Sequence, residues 1–237
     1  MRTTALIFSC LILLGFPLTT LAQLAIVKNA SPTGLTGDRY VYRFERPEFE
    51  IARIDVQVDL KGQGSLKYQR KDEEDPIQVE LKLRPESMTR LQKLFETLDF
   101  LRSTDTYQSS MEHPNLGTNT ITVYQGELNR ELTFQFTPNP SLQQISNFFR
   151  GLVTQHRRLE TLNTARRYQP LDTPKQMKDL EYDLKGGRIA EPEAMLEVLK
   201  EFSMDDHLPL ITRNHAKRLA EMIELKTNDL ANPRFCG

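Results

Sequence analysis

Asp205, Asp206, His207 and His215 bring carboxylate and imidazole, both metal-type ligands, together within eleven residues. Carboxylate oxygen and imidazole nitrogen together suit zinc, which is held at short, defined spacings such as two histidines one helical turn apart. Here the histidines stand eight positions apart with Pro209 between them, so the spacing argues for two aspartates facing water in a loop and an ordinary helical histidine. The run Asp72-Glu73-Glu74-Asp75 carries charge enough for calcium. It lacks the alternating ligands and the glycine that fold a calcium loop around its ion, and it reads as a solvated hairpin tip. Gly62-Gln63-Gly64 joins two strand-like runs and opens no helix, so no helix dipole aims its amides at a phosphate. No Gly-x-Ser-x-Gly elbow is present, Cys10 sits in an apolar run and Cys236 is penultimate, where no pocket is expected to close around a thiol. His113 and His156 have no partner visible in the sequence. The residues therefore predict no catalytic group, no metal and no cofactor.

A row of cations remains. Arg150, Arg157, Arg158, Arg166 and Arg167 make one long segment basic, most of all in its last turns. They are the candidate partner-binding residues, suited to a protein or to an anionic component of a cell envelope. The alternative is purely structural, because cations near a helix C-terminus are favoured by the macrodipole alone.

The elements that must position these side chains follow from periodicity. Tyr40, Tyr42 and Phe44 alternate with Val41, Arg43 and Glu45 up to Pro47, and Ile54, Val56, Val58 and Leu60 alternate with Asp55, Gln57 and Asp59. After a turn at Gly62-Gln63-Gly64, Leu66 and Tyr68 continue the pattern, and beyond the acidic turn so do Ile77, Val79, Leu81 and Leu83. Period two on one wet and one dry face predicts an antiparallel meander. The period then changes to three and four at Met88, Leu91, Leu94, Phe95, Leu98 and Leu101, which with Pro85 in a first turn predicts a helix over 86–100. Ile121 and Val123, a turn at Gly126, then Leu132, Phe134 and Phe136 predict a second hairpin.

Ser141 with Gln144 reads as a capping box opening a helix to about residue 167, with Leu142, Ile145, Phe149, Leu152, Leu159 and Leu162 on its apolar stripe. Such a helix runs about 40 Å, whereas strands of this length span about 23 Å. Its far half must overhang the sheet and bury Leu159 and Leu162 elsewhere. Three further helices are expected: one capped by Thr173-Pro174 with Gln176 and stopped by Gly186-Gly187, one opened by Pro192, and a last one after Leu208-Pro209. The fold class is α+β, an antiparallel sheet packed on two helices with a C-terminal helical extension.

Residues 1–22 have the order of an export signal: Arg2, an apolar run from Ala5 to Phe16, then Pro17 to Ala22 ending on small residues, with cleavage expected near Ala22. The run is too short to span a membrane, and nothing after residue 23 approaches transmembrane length. The expected organisation is a signal peptide at 1–22, a flexible leader at 23–38, a sheet domain at 39–168 and the helical extension at 172–230. Of 237 residues, 31 are basic and 32 acidic, a net charge of -1 that offers nucleic acid no general attraction. With 38% hydrophobic residues, the chain can bury a core.

The stretches Asp183-Leu184-Lys185-Gly186-Gly187-Arg188-Ile189-Ala190-Glu191-Pro192-Glu193 and Leu208-Pro209-Leu210-Ile211-Thr212-Arg213-Asn214-His215-Ala216-Lys217-Arg218-Leu219 resemble the closing part of exported bacterial proteins of acidobacterial type that have no assigned function. The likeness spans about the last quarter of the chain and implies export without implying a ligand or a catalytic residue. Upstream, the order of strands, helix, hairpin and helix is similar in outline to small secreted inhibitor domains of the emfourin kind. The expected function is an exported, non-enzymatic binding or envelope-associated protein, periplasmic or extracellular; the alternatives are an exported protease inhibitor and then a metal-dependent hydrolase.

Overall fold

The computed structural model describes residues 37–111 and 113–231. The expected signal peptide, the leader up to residue 36, Cys10 and Cys236 lie outside the described residues. Six strands, β1 (Arg39–Glu45), β2 (Ile51–Asp59), β3 (Gln63–Arg70), β4 (Ile77–Lys82), β5 (Thr118–Gln125) and β6 (Leu128–Phe134), form one antiparallel sheet in the order β4-β3-β2-β1-β5-β6. The helices are α1 (Pro85–Thr97), α2 (Pro140–Tyr168), α3 (Thr173–Lys185), α4 (Leu196–Met204) and α5 (Leu210–Ala231). The fold is α+β. No described helix is long and apolar enough to cross a membrane.

Register puts the alternating apolar residues on one face. Tyr42 stands opposite Val56 and Ile121, Val56 opposite Leu66, and Ile121 opposite Leu132. All but Leu132 are fully buried, and they join Leu91 and Phe95 of α1 and Leu142, Ile145 and Phe149 of α2 in one apolar cluster. Each such side chain contributes about 1.5–3 kcal/mol relative to exposure, so this face holds the sheet to its two helices. The other face is wet, with Arg53 on Asp55 at 2.7 Å and Thr120 on Thr133 at 3.1 Å.

Local details depart from the sequence pattern where capping and turns decide. The β2–β3 hairpin turns at Asp59–Gly62, two positions before the glycine pair is complete: the Asp59 carboxylate accepts from the Lys61 and Gln63 amides at 2.8 Å, and Gly62 takes φ of +82°. Leu60 thereby leaves the strand and is exposed. Helix α1 stops at Thr97, three residues short of its expected end, because the chain reverses at Asp99 with φ of +43°. Leu98 is still buried and Leu101 packs on the core past the reversal, so the apolar period runs on through a turn that it cannot register. Helix α2 is capped by Asn139, whose Oδ1 accepts from the Ser141 and Leu142 amides at 3.0 and 3.1 Å. Pro140 takes the first helical position, and Ser141 falls inside the first turn. Thr173 caps nothing either. A short 3-10 turn at Pro170–Asp172 runs straight into α3 and leaves no break to cap, while the buried Thr173 hydroxyl donates to the Pro170 carbonyl and meets the Thr212 hydroxyl at 2.8 Å.

A second apolar cluster lies under the far half of α2. Leu162 is completely buried with Met177 and Leu180 of α3, Leu199 and Phe202 of α4, and Leu219 of α5, and Leu159 packs on its rim. The loop before α4 ties the clusters together: the Glu191 carboxylate accepts from the Arg84 amide at 2.8 Å, Arg90 donates to the Ala190 carbonyl at 3.0 Å, and Ala190 lies in the first cluster. Gly151 makes that approach feasible, since a Cβ there would stand 2.9 Å from the Ala190 nitrogen.

Candidate functional site

The five arginines of α2 do not share one face with one job. The structure divides them along the helix. Arg158 sets its Nε 2.6 Å from Asp183 of α3, whose other oxygen takes Arg188 Nε at 2.7 Å. Arg166 sets Nε 2.6 Å from Asp205 and Nη1 2.7 Å from Glu201. The Arg166 bond holds the Asp205 carboxyl below its ordinary range against the opposing effect of burial. These two arginines fasten the extension to α2. Arg167 is exposed, 5.9 Å from the Tyr168 ring, and has no ion pair among the described residues.

Arg150 and Arg157 stand elsewhere, on the part of α2 that crosses the sheet. Arg150 reaches into the end of the β1/β5 pair. Its Nε donates to the Tyr42 hydroxyl at 3.0 Å and its Nη2 to Asn119 Oδ1 at 2.7 Å. The Tyr42 hydroxyl in turn donates to the same Asn119 oxygen at 2.8 Å, and Asn119 Nδ2 donates to the Phe134 and Gln135 carbonyls at 3.3 Å. Tyr42 is pushed up to about 12 by burial, with the Arg150 charge and hydrogen bond pulling the other way, so its proton stays in the network. The Tyr42 ring stacks on Phe149, centroids 5.0 Å apart, and the Arg150 guanidinium lies over the Phe44 ring at 4.2 Å.

Arg150 is thus half-buried, fixed at two nitrogens and one π face, and bonded only to neutral groups. No carboxylate lies within ion-pair distance of it among the described residues. A guanidinium taken partly out of water without a counter-charge is costly unless something neutralises it.

That guanidinium edges a cleft of about 330 Å³ between the β1–β2 turn and α2. Phe44, Ile51, Ile54 and Val153 supply apolar walls, Phe49 stands exposed at the mouth, and Arg157, paired with Glu50, closes one side. Arg46 lies over the Phe49 ring at 3.2 Å. Fixed guanidinium, aromatic floor and aliphatic wall can hold an anionic group attached to an apolar body.

The residues weighed for metal chemistry are not brought together. Asp205 turns to Arg166, His207 is exposed beside it, and His215 of α5 sets Nε2 2.8 Å from Glu181 of α3. Glu181 also meets Lys185 at 2.6 Å, and that bond, with His215 contributing, holds its carboxyl below the usual range. Among the described residues no group of three or more His, Cys, Asp or Glu side chains is placed to hold a metal ion. His156 meets the Tyr68 hydroxyl at 3.2 Å, and the His113 ring packs on Phe136. The acidic turn is held by Arg70 on Glu73 and by Gln69 on two of its carbonyls.

Periodicity marked Tyr42 only as a strand residue and did not single out Asn119 or Phe49. One signal was available: Asn119 stands on the inward set with Ile121 and Val123, and a polar residue at an inward strand position must be bonded to something. Phe49, in a turn of glutamates after Pro47, is an aromatic with no strand to bury it. No protein-family model matches the chain, and no curated protein matches it.

Proposed function

We propose that the chain is an exported, non-enzymatic binding protein and that its recognition surface is the cleft between the β1–β2 turn and α2. Export is supported by the order of charged, apolar and small residues in 1–22. The observation that carries the binding role is Arg150, which the fold holds at the edge of an apolar cleft with hydrogen bonds to Tyr42 and Asn119 and no carboxylate within ion-pair distance among the described residues. Preorganised charge of this kind lowers the ordering cost of recognition. Asp205 and His215, the residues a hydrolase reading would use, are each engaged with a different helix.

Native mass spectrometry tests this reading. Mature chain incubated with envelope extract is expected to retain a ligand, and Ile51→Asp, which places a carboxylate in the cleft, is expected to abolish retention while the fold persists by circular dichroism. Retention that is indifferent to Ile51→Asp overturns the cleft as recognition surface. A stoichiometric complex with a protease would instead establish the inhibitor alternative, and metal-dependent hydrolysis the enzyme.

A further inference from the structure

We infer that the cleft takes a monocarboxylate with an apolar side chain or acyl chain starting at the carbon next to the carboxylate, seated with its oxygens on Arg150. The inference rests on the cleft being a recognition surface and names what it recognises.

Charge sets the first limit. Arg150 lacks an ion pair among the described residues, whereas Arg157 is already matched by Glu50. Two Arg150 nitrogens are committed to Tyr42 and Asn119, so the orientation of the guanidinium is set before any ligand arrives, and its remaining donor edge is what an anion can use. The only carboxylate among the described lining residues of the cleft is that of Glu50, and its charge is taken by Arg157. A single negative charge reaching the inner guanidinium gains a partner at little cost. A phosphate monoester, close to two negative charges at neutral pH, gains the same partner and brings a second charge for which the lining offers no further unpaired cation among the described residues.

Shape and polarity set the second. The volume, about 330 Å³, lies at the low end of small-molecule pockets, which run about 300–1,000 Å³. The floor beside the guanidinium is the Phe44 ring, and the walls are Ile51, Ile54 and Val153. Carbon attached to a carboxylate seated on Arg150 meets these surfaces at once, so the apolar group must adjoin the carboxylate without a polar spacer. The C-terminal residue of a peptide and a free acyl chain both satisfy this chemistry.

The test uses the mature chain and two matched pairs of probes, N-acetyl-L-phenylalanine against its amide and octanoate against octanamide. Binding is followed by NMR at the Arg150 Nε–H and at the methyl groups of Ile51, Ile54 and Val153. At least one acid is expected to shift these signals with an affinity ten times or more that of its amide. The tighter acid identifies the source, peptide terminus or acyl chain. Arg150→Gln is expected to remove the preference, and because the acid-to-amide comparison is made on the unaltered chain, the result stands even if that variant folds poorly. Equal binding of acid and amide inside the cleft overturns the carboxylate assignment and leaves the recognition surface standing. No shift at the cleft with any of the four compounds overturns the assignment too, and the Ile51→Asp comparison then judges the surface independently.

Discussion

Two stretches of the same helix use arginine in opposite ways. On the sheet, Arg150 donates to a tyrosine and an asparagine, both neutral, and keeps its charge unmatched. Beyond the sheet, Arg158 and Arg166 meet Asp183, Asp205 and Glu201, and their charge is consumed in joining the helical extension to α2. A charge satisfied by carboxylates is structural and leaves little for a partner. A charge satisfied only by dipoles is held in position but remains available. Residue type and position on a basic helix could not separate these roles; what stands opposite each guanidinium did.

The comparison breaks first, and most severely, at Leu162. Leu162→Asp places a carboxylate in a site with no exposure, among Met177, Leu180 and Phe202. It is expected to cost about 3 to 5 kcal/mol by lost apolar burial and an unpaired charge, measured by urea denaturation. A near-silent result would mean that the extension is not packed on the far half of α2.

Asp183→Asn should come next. The carboxylate is almost inaccessible and lies between Arg158 and Arg188, so its neutralisation leaves two guanidiniums facing each other. The expected loss is about 2 to 3 kcal/mol. Arg150→Gln provides the contrast, at about 1 kcal/mol or less, because Tyr42 and Asn119 remain bonded to each other. Equal costs for the two substitutions, read on the same denaturation curves, would erase the distinction between fastening and recognition.

Gly151→Ala sharpens the boundary between the two halves. In an exposed helix the change gains about 1 kcal/mol. Here the new Cβ would press on the Ala190 backbone at 2.9 Å, and moving that loop is expected to reverse the sign, for a net loss of about 1 kcal/mol. Thermal melting of the pair of proteins decides the sign.

The smallest effect is that of pH on the extension. Asp205 is held below its ordinary range chiefly by the Arg166 hydrogen bond, and Glu181 chiefly by Lys185, with His215 adding to it. A carboxyl depressed in the folded state contributes stability that is present above its unfolded value and is lost as pH falls through the folded one. The difference in melting temperature between the unaltered chain and Asp205→Asn should therefore be constant near neutrality and shrink below about pH 4. Arg150, which has no carboxylate to titrate with it, should show no such dependence: the melting difference between the unaltered chain and Arg150→Gln should stay level over the same interval.

The order of strands and helices, the wet and dry faces of the sheet and the overhang of α2 were all legible along the chain. They depend on period, on turn residues and on length, each a property of a few consecutive residues: Ile54, Val56 and Val58 announce a half-buried strand wherever they lie. Helix starts were less legible. At Asn139 and Thr173 several residues in a row can cap, and the choice between them falls to the chain preceding the helix, a proline-led first turn in one case and a 3-10 turn running on in the other. The site was the least legible part. Sequence alone marked Arg150 and Arg157 as cations on a helix, and it marked Arg158 and Arg166 in the same terms. Only the tertiary structure set Tyr42 and Asn119, 108 and 31 positions away, against Arg150, and Asp183 and Asp205, 25 and 39 positions away, against the others. The reason is physical: the state and use of a charge depend on the field and the hydrogen-bond partners around it, and those come from segments that the fold, and not the chain order, makes neighbours.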